Sequence, residues 1–147
     1  MVAMKNQIEA AYGVFSGYPR FDAPRQCTHC IEESIQLEII KGALRQFPAD
    51  WLRSLIYNNS VLTWGQEQDI KHFFPRAFEL IPARLTAEIP SVEMDLLRSL
   101  RVIMVERGDW QQWPEVEVEA IGDYLRALWS RFASCFPDGW DAWDTHV

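Results

Sequence analysis

The sequence predicts an all-α protein, a single compact domain of about six helices. Three observations carry that prediction. Apolar residues recur at spacings of three and four through most of the chain. Strict apolar–polar alternation, the mark of a half-buried strand, is nearly absent. Prolines and glycines fall where the periodic runs begin and end, as helix starts and stops require.

Ile8, Ala11, Tyr12 and Phe15 form the first apolar stripe, and Gly17 with Pro19 stops it. A loop follows over 18–31. From Ile31 to Phe47 two patterns compete: Ile35, Leu37 and Ile39 alternate like a strand, while Gln36, Ile40, Ala43, Leu44 and Phe47 repeat like a helix. Helix is favoured, because one short strand would have no partner. Pro48 suits a first helical position, with Leu52, Leu55 and Ile56 on one face and Asn58 and Asn59 at the end. The run from Gln66 to Ile81 carries Ile70, Phe73, Phe74, Ala77, Leu80 and Ile81 on one side, but Pro75 cannot donate to residue 71. A kink, or two short helices, is expected there. Ser91 caps the next helix, which continues through Leu96, Leu100 and Ile103 to the stop glycine Gly108. Pro114 opens the last helix. Glu115, Glu117 and Glu119 suit the positive end of its dipole, and Ile121, Tyr124, Leu125, Leu128, Phe132 and Phe136 make its buried stripe. Helix pairs of comparable length also allow a short stacked solenoid.

With 147 residues, 48% hydrophobic and 24% charged, the chain fits one core. The domain is read as 1–137, followed by an acidic, tryptophan-containing tail over 138–147. A chain of this size buries about 68–70% of its unfolded surface, so it needs neither disulfide nor metal merely to fold. The 21 Asp and Glu against 14 Lys and Arg give a net charge of -7. No basic stretch offsets that excess, which argues against nucleic acid. No apolar run has secretory or membrane-spanning length, so the expected location is the cytoplasm, away from membranes.

Cys27-Thr28-His29-Cys30 is the one dense cluster of metal-ligating or redox side chains. Two thiols at this spacing reach one zinc ion, with Zn–S near about 2.3 Å. A closed site needs further ligands. The third cysteine, Cys135, sits in the last helix, which leaves His72 or an acid to complete a set with Cys27 and Cys30. A dithiol reading competes, but its motif normally follows a strand in a βαβ unit, and none is visible. The plainest reading is two reduced cytosolic cysteines, one packed and one partly exposed, or a loop pinned by their oxidation.

A second cluster runs from Thr63 and Trp64 through Asp69, Lys71 and His72 to Arg76. Asp69 and His72 are three apart, so a helix brings carboxylate and imidazole together, which orients the ring. No serine, threonine or cysteine in the segment stands in an activated setting, so the pair reads first as a helix link and second as half of an acid–base site. Most of the seven tryptophans are expected in the core. Trp140 and Trp143 are the exceptions, placed in the acidic tail either to dock on the domain or to anchor a partner.

Taken in order, Tyr12, Phe15 and Tyr18-Pro19, the Cys27-x-His29-Cys30 loop, the Leu62-Thr63-Trp64-Gly65 turn, the segment Asp69-x-Lys71-His72-Phe73-x-Pro75-Arg76, and Trp113-Pro114 with Glu117 and Leu128-Trp129 form a pattern. It resembles a family of small uncharacterised bacterial all-helical proteins over about residues 12–130. The resemblance implies a helical bacterial cytosolic protein and attaches no activity or ligand. Family members carry proline between the first cysteine and the histidine; Thr28 departs from this.

Small size, negative charge and abundant tryptophan without a complete catalytic set lead to a non-enzymatic protein-binding module, an inhibitor or immunity-type protein acting on a basic partner. Trp64, Asp69, His72, Arg76, Trp140 and Trp143 are its expected contacts. The alternative is a zinc-binding protein using Cys27, Cys30 and His72, with a thiol oxidoreductase last.

Overall fold

The computed structural model describes residues 2–19, 32–49, 52, 68, 71–83, 101, 104–105 and 109–135. Among these, all regular structure is helical and no strand occurs, in line with the all-α expectation. Four α-helices are described: α1 (Val2–Phe15), α2 (Glu33–Lys41), α3 (Phe74–Ala83) and α4 (Glu115–Cys135). Short 3₁₀ turns cover Leu44–Gln46 and Trp110–Gln112.

Helix α1 packs on both α3 and α4. The expected stripe does this, with Ala11, Tyr12 and Phe15 buried, and the helix begins earlier than the stripe, at Val2. An aromatic ladder joins the three helices. Phe15 meets Phe74 edge-on at 5.5 Å, Phe74 stacks on Phe78 at 5.9 Å, and Phe78 lies nearly parallel to Tyr124 at 4.0 Å. Offset and edge contacts of this kind add to the large area each ring removes from water.

The ambiguous 31–47 segment is helical, as expected, but shorter. Helix α2 ends at Lys41, and Gly42 turns the chain out with ψ 152° while its N–H bonds the Glu38 carbonyl at 2.7 Å. A side chain at this position would place Cβ 2.9 Å from that carbonyl oxygen. The close approach needs glycine, and it breaks the run that continuous helical spacing suggested. Replacing Gly42 with alanine is expected to cost about 1–3 kcal/mol, since the obstructing atom is backbone and cannot swing aside. The check is a lower urea midpoint with an unchanged slope.

Pro75 acts as the sequence foretold. Lys71 is helical, His72 and Phe73 form a turn, and α3 starts afresh at Phe74, so Pro75 falls in a first turn where no donor is needed. Leu52 is fully buried and its N–H bonds the Pro48 carbonyl at 3.2 Å, the opening turn expected after Pro48. Leu55, Ile56, Asn58, Asn59 and most of the 91–108 segment lie outside the described residues. Just beyond Gly108, Asp109 takes the left-handed conformation, with φ 40°, a region asparagine and aspartate enter more readily than most residues.

Helix α4 begins one residue after Pro114, whose carbonyl accepts from the N–H groups of Glu117 and Val118. Its buried face is Glu117, Ala120, Ile121, Tyr124 and Leu128. Leu125, expected in the core, is 40% exposed. The stripe is rotated toward Glu117, and the reason is polar pairing.

Candidate functional site

Two polar knots hold the turn before α3 and α3 itself against the rest of the fold. In the first, Lys71 Nζ lies 2.8 Å from Glu117 Oε2, and both side chains are 5% exposed. Tyr18 Oη donates to the other oxygen of the same carboxylate. The Lys71 ammonium also stands 3.6 Å above the Trp113 ring, close enough for a cation–π attraction. Glu117 sits in the first turn of α4, so the helix dipole adds to the pairing. The carboxylate thus meets three kinds of favourable partner, and this compensates for drawing the charge into the core.

His72 belongs to the same knot. Its ring is buried, edge-on to Phe73 at 5.2 Å, with Nδ1 2.8 Å from the Tyr18 carbonyl oxygen. A carbonyl only accepts, so Nδ1 carries the proton there.

In the second knot, Arg76 Nε donates to the Phe47 carbonyl at 2.9 Å, and its Nη1 pairs with Glu79 at 2.7 Å. Tyr12 Oη donates to the same Glu79 oxygen at 2.8 Å. Arg45 covers the Tyr12 ring at 3.7 Å and reaches Glu9 at 2.6 Å. These bonds tie α1, the turn after α2, and α3 together.

Of the side chains singled out in the sequence, His72 and Arg76 are placed here, His72 against the Tyr18 carbonyl and Arg76 against the Phe47 carbonyl and Glu79. Cys27, Cys30, Trp64, Asp69, Trp140 and Trp143 lie outside the described residues. Among the described residues no three His, Cys, Asp or Glu side chains gather as a metal would require. Lys71 and Glu117 were missed as a pair, since they are 46 positions apart, one read within the Thr63-to-Arg76 cluster and the other as an acid suited to the dipole of the last helix.

Tyrosine ionisation is suppressed in three places. Burial first, then hydrogen bonding to Glu79, pushes Tyr12 up; burial, then the bond to Glu117, pushes Tyr18 up; burial alone raises Tyr124. A raised phenol stays neutral in the folded chain while the unfolded chain ionises near pH 10. Stability from this source is complete below about pH 10 and is lost as pH rises through the folded values. The melting temperature should therefore fall steeply above pH 10. Absorbance at 295 nm should show native protein ionising fewer phenols at pH 11 than protein in urea; equal ionisation in both would contradict this.

The outer side of α4 is different in character. Trp129 is 62% exposed and stacks on Phe132 at 5.9 Å. Leu125 lies one turn before it on the same flank, and exposed Glu115, Glu119 and Asp123 line the adjoining outer face. Asp123 is bonded to Arg126 at 2.5 Å. Trp129 was expected in the core with most other tryptophans, yet it is one position removed from Leu128 in the apolar stripe. That offset was the available signal.

The chain matches no family model, no curated protein and no solved structure. No described helix is long and apolar enough to cross a membrane.

Proposed function

We propose that the protein is a non-enzymatic protein-binding module, of inhibitor or immunity type, that takes a basic partner through the outer flank of α4. One observation carries the reading: Trp129 stands 62% exposed on a 21-residue helix, braced by Phe132. A rigid aromatic anchor beside Leu125, with acids on the next face, has the composition of an interface centre and its rim. The net charge of -7 steers a basic partner toward it. Trp140 and Trp143, which follow α4 in sequence, join the same proposal. A photo-cross-linking residue placed at position 129 of the full chain, in its native host, tests it. Covalent capture of one basic protein is expected; capture of a second copy alone, or of nothing, refutes it.

The zinc alternative has one observation in its favour. Metal-binding histidines commonly make a ring N–H bond to a carbonyl, which orients the ring, and His72 Nδ1 meets the Tyr18 carbonyl in that way. On this reading Cys27 and Cys30 supply thiolates and His72 supplies an imidazole nitrogen. Protein purified without chelator should then contain close to one equivalent of zinc, and Cys27→Ser should release it. Less than about a tenth of an equivalent, the level of adventitious binding, would end this reading.

A further inference from the structure

The buried face of α4 steps through Glu117, Ile121, Tyr124 and Leu128, at intervals of four, three and four residues. One position on, a second row repeats those intervals through Val118, Gly122, Leu125, Trp129 and Phe132. Leu125 and Trp129 in this row are exposed, and the other three are half-buried. Alternating intervals of four and three are the spacing of helices that pack side by side at about 20°. Gly122 is a second sign. A glycine inside a helix weakens it, and the fold leaves room for a side chain here. The nearest atoms an added Cβ would meet are those of the Arg126 guanidinium, from 3.3 Å outward, at the end of an exposed side chain that can swing aside. What glycine permits at such a point is the close approach of another backbone.

A helix is the element that fits. The flank of α4 offers no backbone donor or acceptor, because its own ladder uses them, so an extended segment would leave its backbone groups unmet there while a helix meets its own. Exposed Glu115 and Glu119 stand beside the N-terminal half of the row. Lys or Arg opposite them suits the C-terminal end of a partner helix, which sets the two helices antiparallel. We infer that this second row receives one α-helix of the basic partner, packed antiparallel to α4, with its backbone close at Gly122 and Lys or Arg against Glu115 and Glu119. The inference rests on the binding reading above and specifies what lands on that face.

Photo-cross-linking residues at positions 125, 129 and 133 of the full chain, all exposed, read the register of the contact in the native host. All three are expected to capture the same basic protein, and the linked sites, mapped by mass spectrometry, should lie three or four apart, in reverse order, within one segment of it. Positions 116 and 134 are exposed too and lie nine residues either side of Leu125, half a turn round the helix, so they should capture much less of it. Gly122→Leu fills the gap and should weaken the Kd of the captured protein at least about tenfold through overpacking, while the free chain melts no lower than the native one. Capture of no basic protein overturns the binding reading and this inference with it. Linked sites two apart, scattered over several segments or in forward order, equal capture at 116 and 134, or an affinity that Gly122→Leu leaves unchanged would overturn the docked helix and leave the binding reading standing.

Discussion

Lys71→Met is expected to destabilise the protein by about 3–5 kcal/mol, because it leaves the Glu117 carboxylate buried without its cation. Methionine matches the length of the lysine stem, so the change removes charge more than volume. Glu117 would keep the Tyr18 hydroxyl and the α4 dipole, which together do not replace an ammonium at 2.8 Å. Trp113 would lose the cation above its ring. The double variant Lys71→Met, Glu117→Gln should recover much of the loss, since neither charge then remains in the core and glutamine still accepts from Tyr18. Urea denaturation of the two single variants and the double variant gives the coupling directly. Additive losses would show that the pair is solvated in the folded chain and that its burial is not what matters.

The helical elements were legible wherever one local signal sufficed. Pro114 set the start of α4, Pro75 forced a restart at Phe74, and the Ile8-to-Phe15 spacing marked the buried side of α1. What escaped depended on distant partners. Continuous spacing across Gly42 looked helical because the 2.9 Å approach to Glu38 is a property of the folded turn, not of the pattern. Glu117 read as an acid suited to the helix dipole, and only Lys71 and Tyr18, from remote segments, explain why it faces inward. That inward turn rotates α4 and brings Leu125 out to 40% exposure. His72 illustrates the same limit. Its bond to the Tyr18 backbone is one that no side-chain spacing encodes, and Asp69, the neighbour the sequence offered, lies outside the described residues.

Trp129→Ala separates binding from folding. The ring is largely in solvent, so its removal should change stability by no more than about 0.5 kcal/mol, as for ordinary surface substitutions. As a binding anchor it should cost at least about 2 kcal/mol, close to thirtyfold in Kd. Charge acts on another quantity. Glu119→Lys and Asp123→Lys should slow association, with a smaller effect at high salt, because exposed acids steer encounter more than they hold the complex. The decisive measurement is the Kd of the basic protein captured at position 129, compared for the intact chain and Trp129→Ala at physiological ionic strength. The proposed role predicts at least a thirtyfold weaker complex at an unchanged melting temperature. Equal affinity, or a native chain that sediments as a dimer broken by the same substitution, would contradict it.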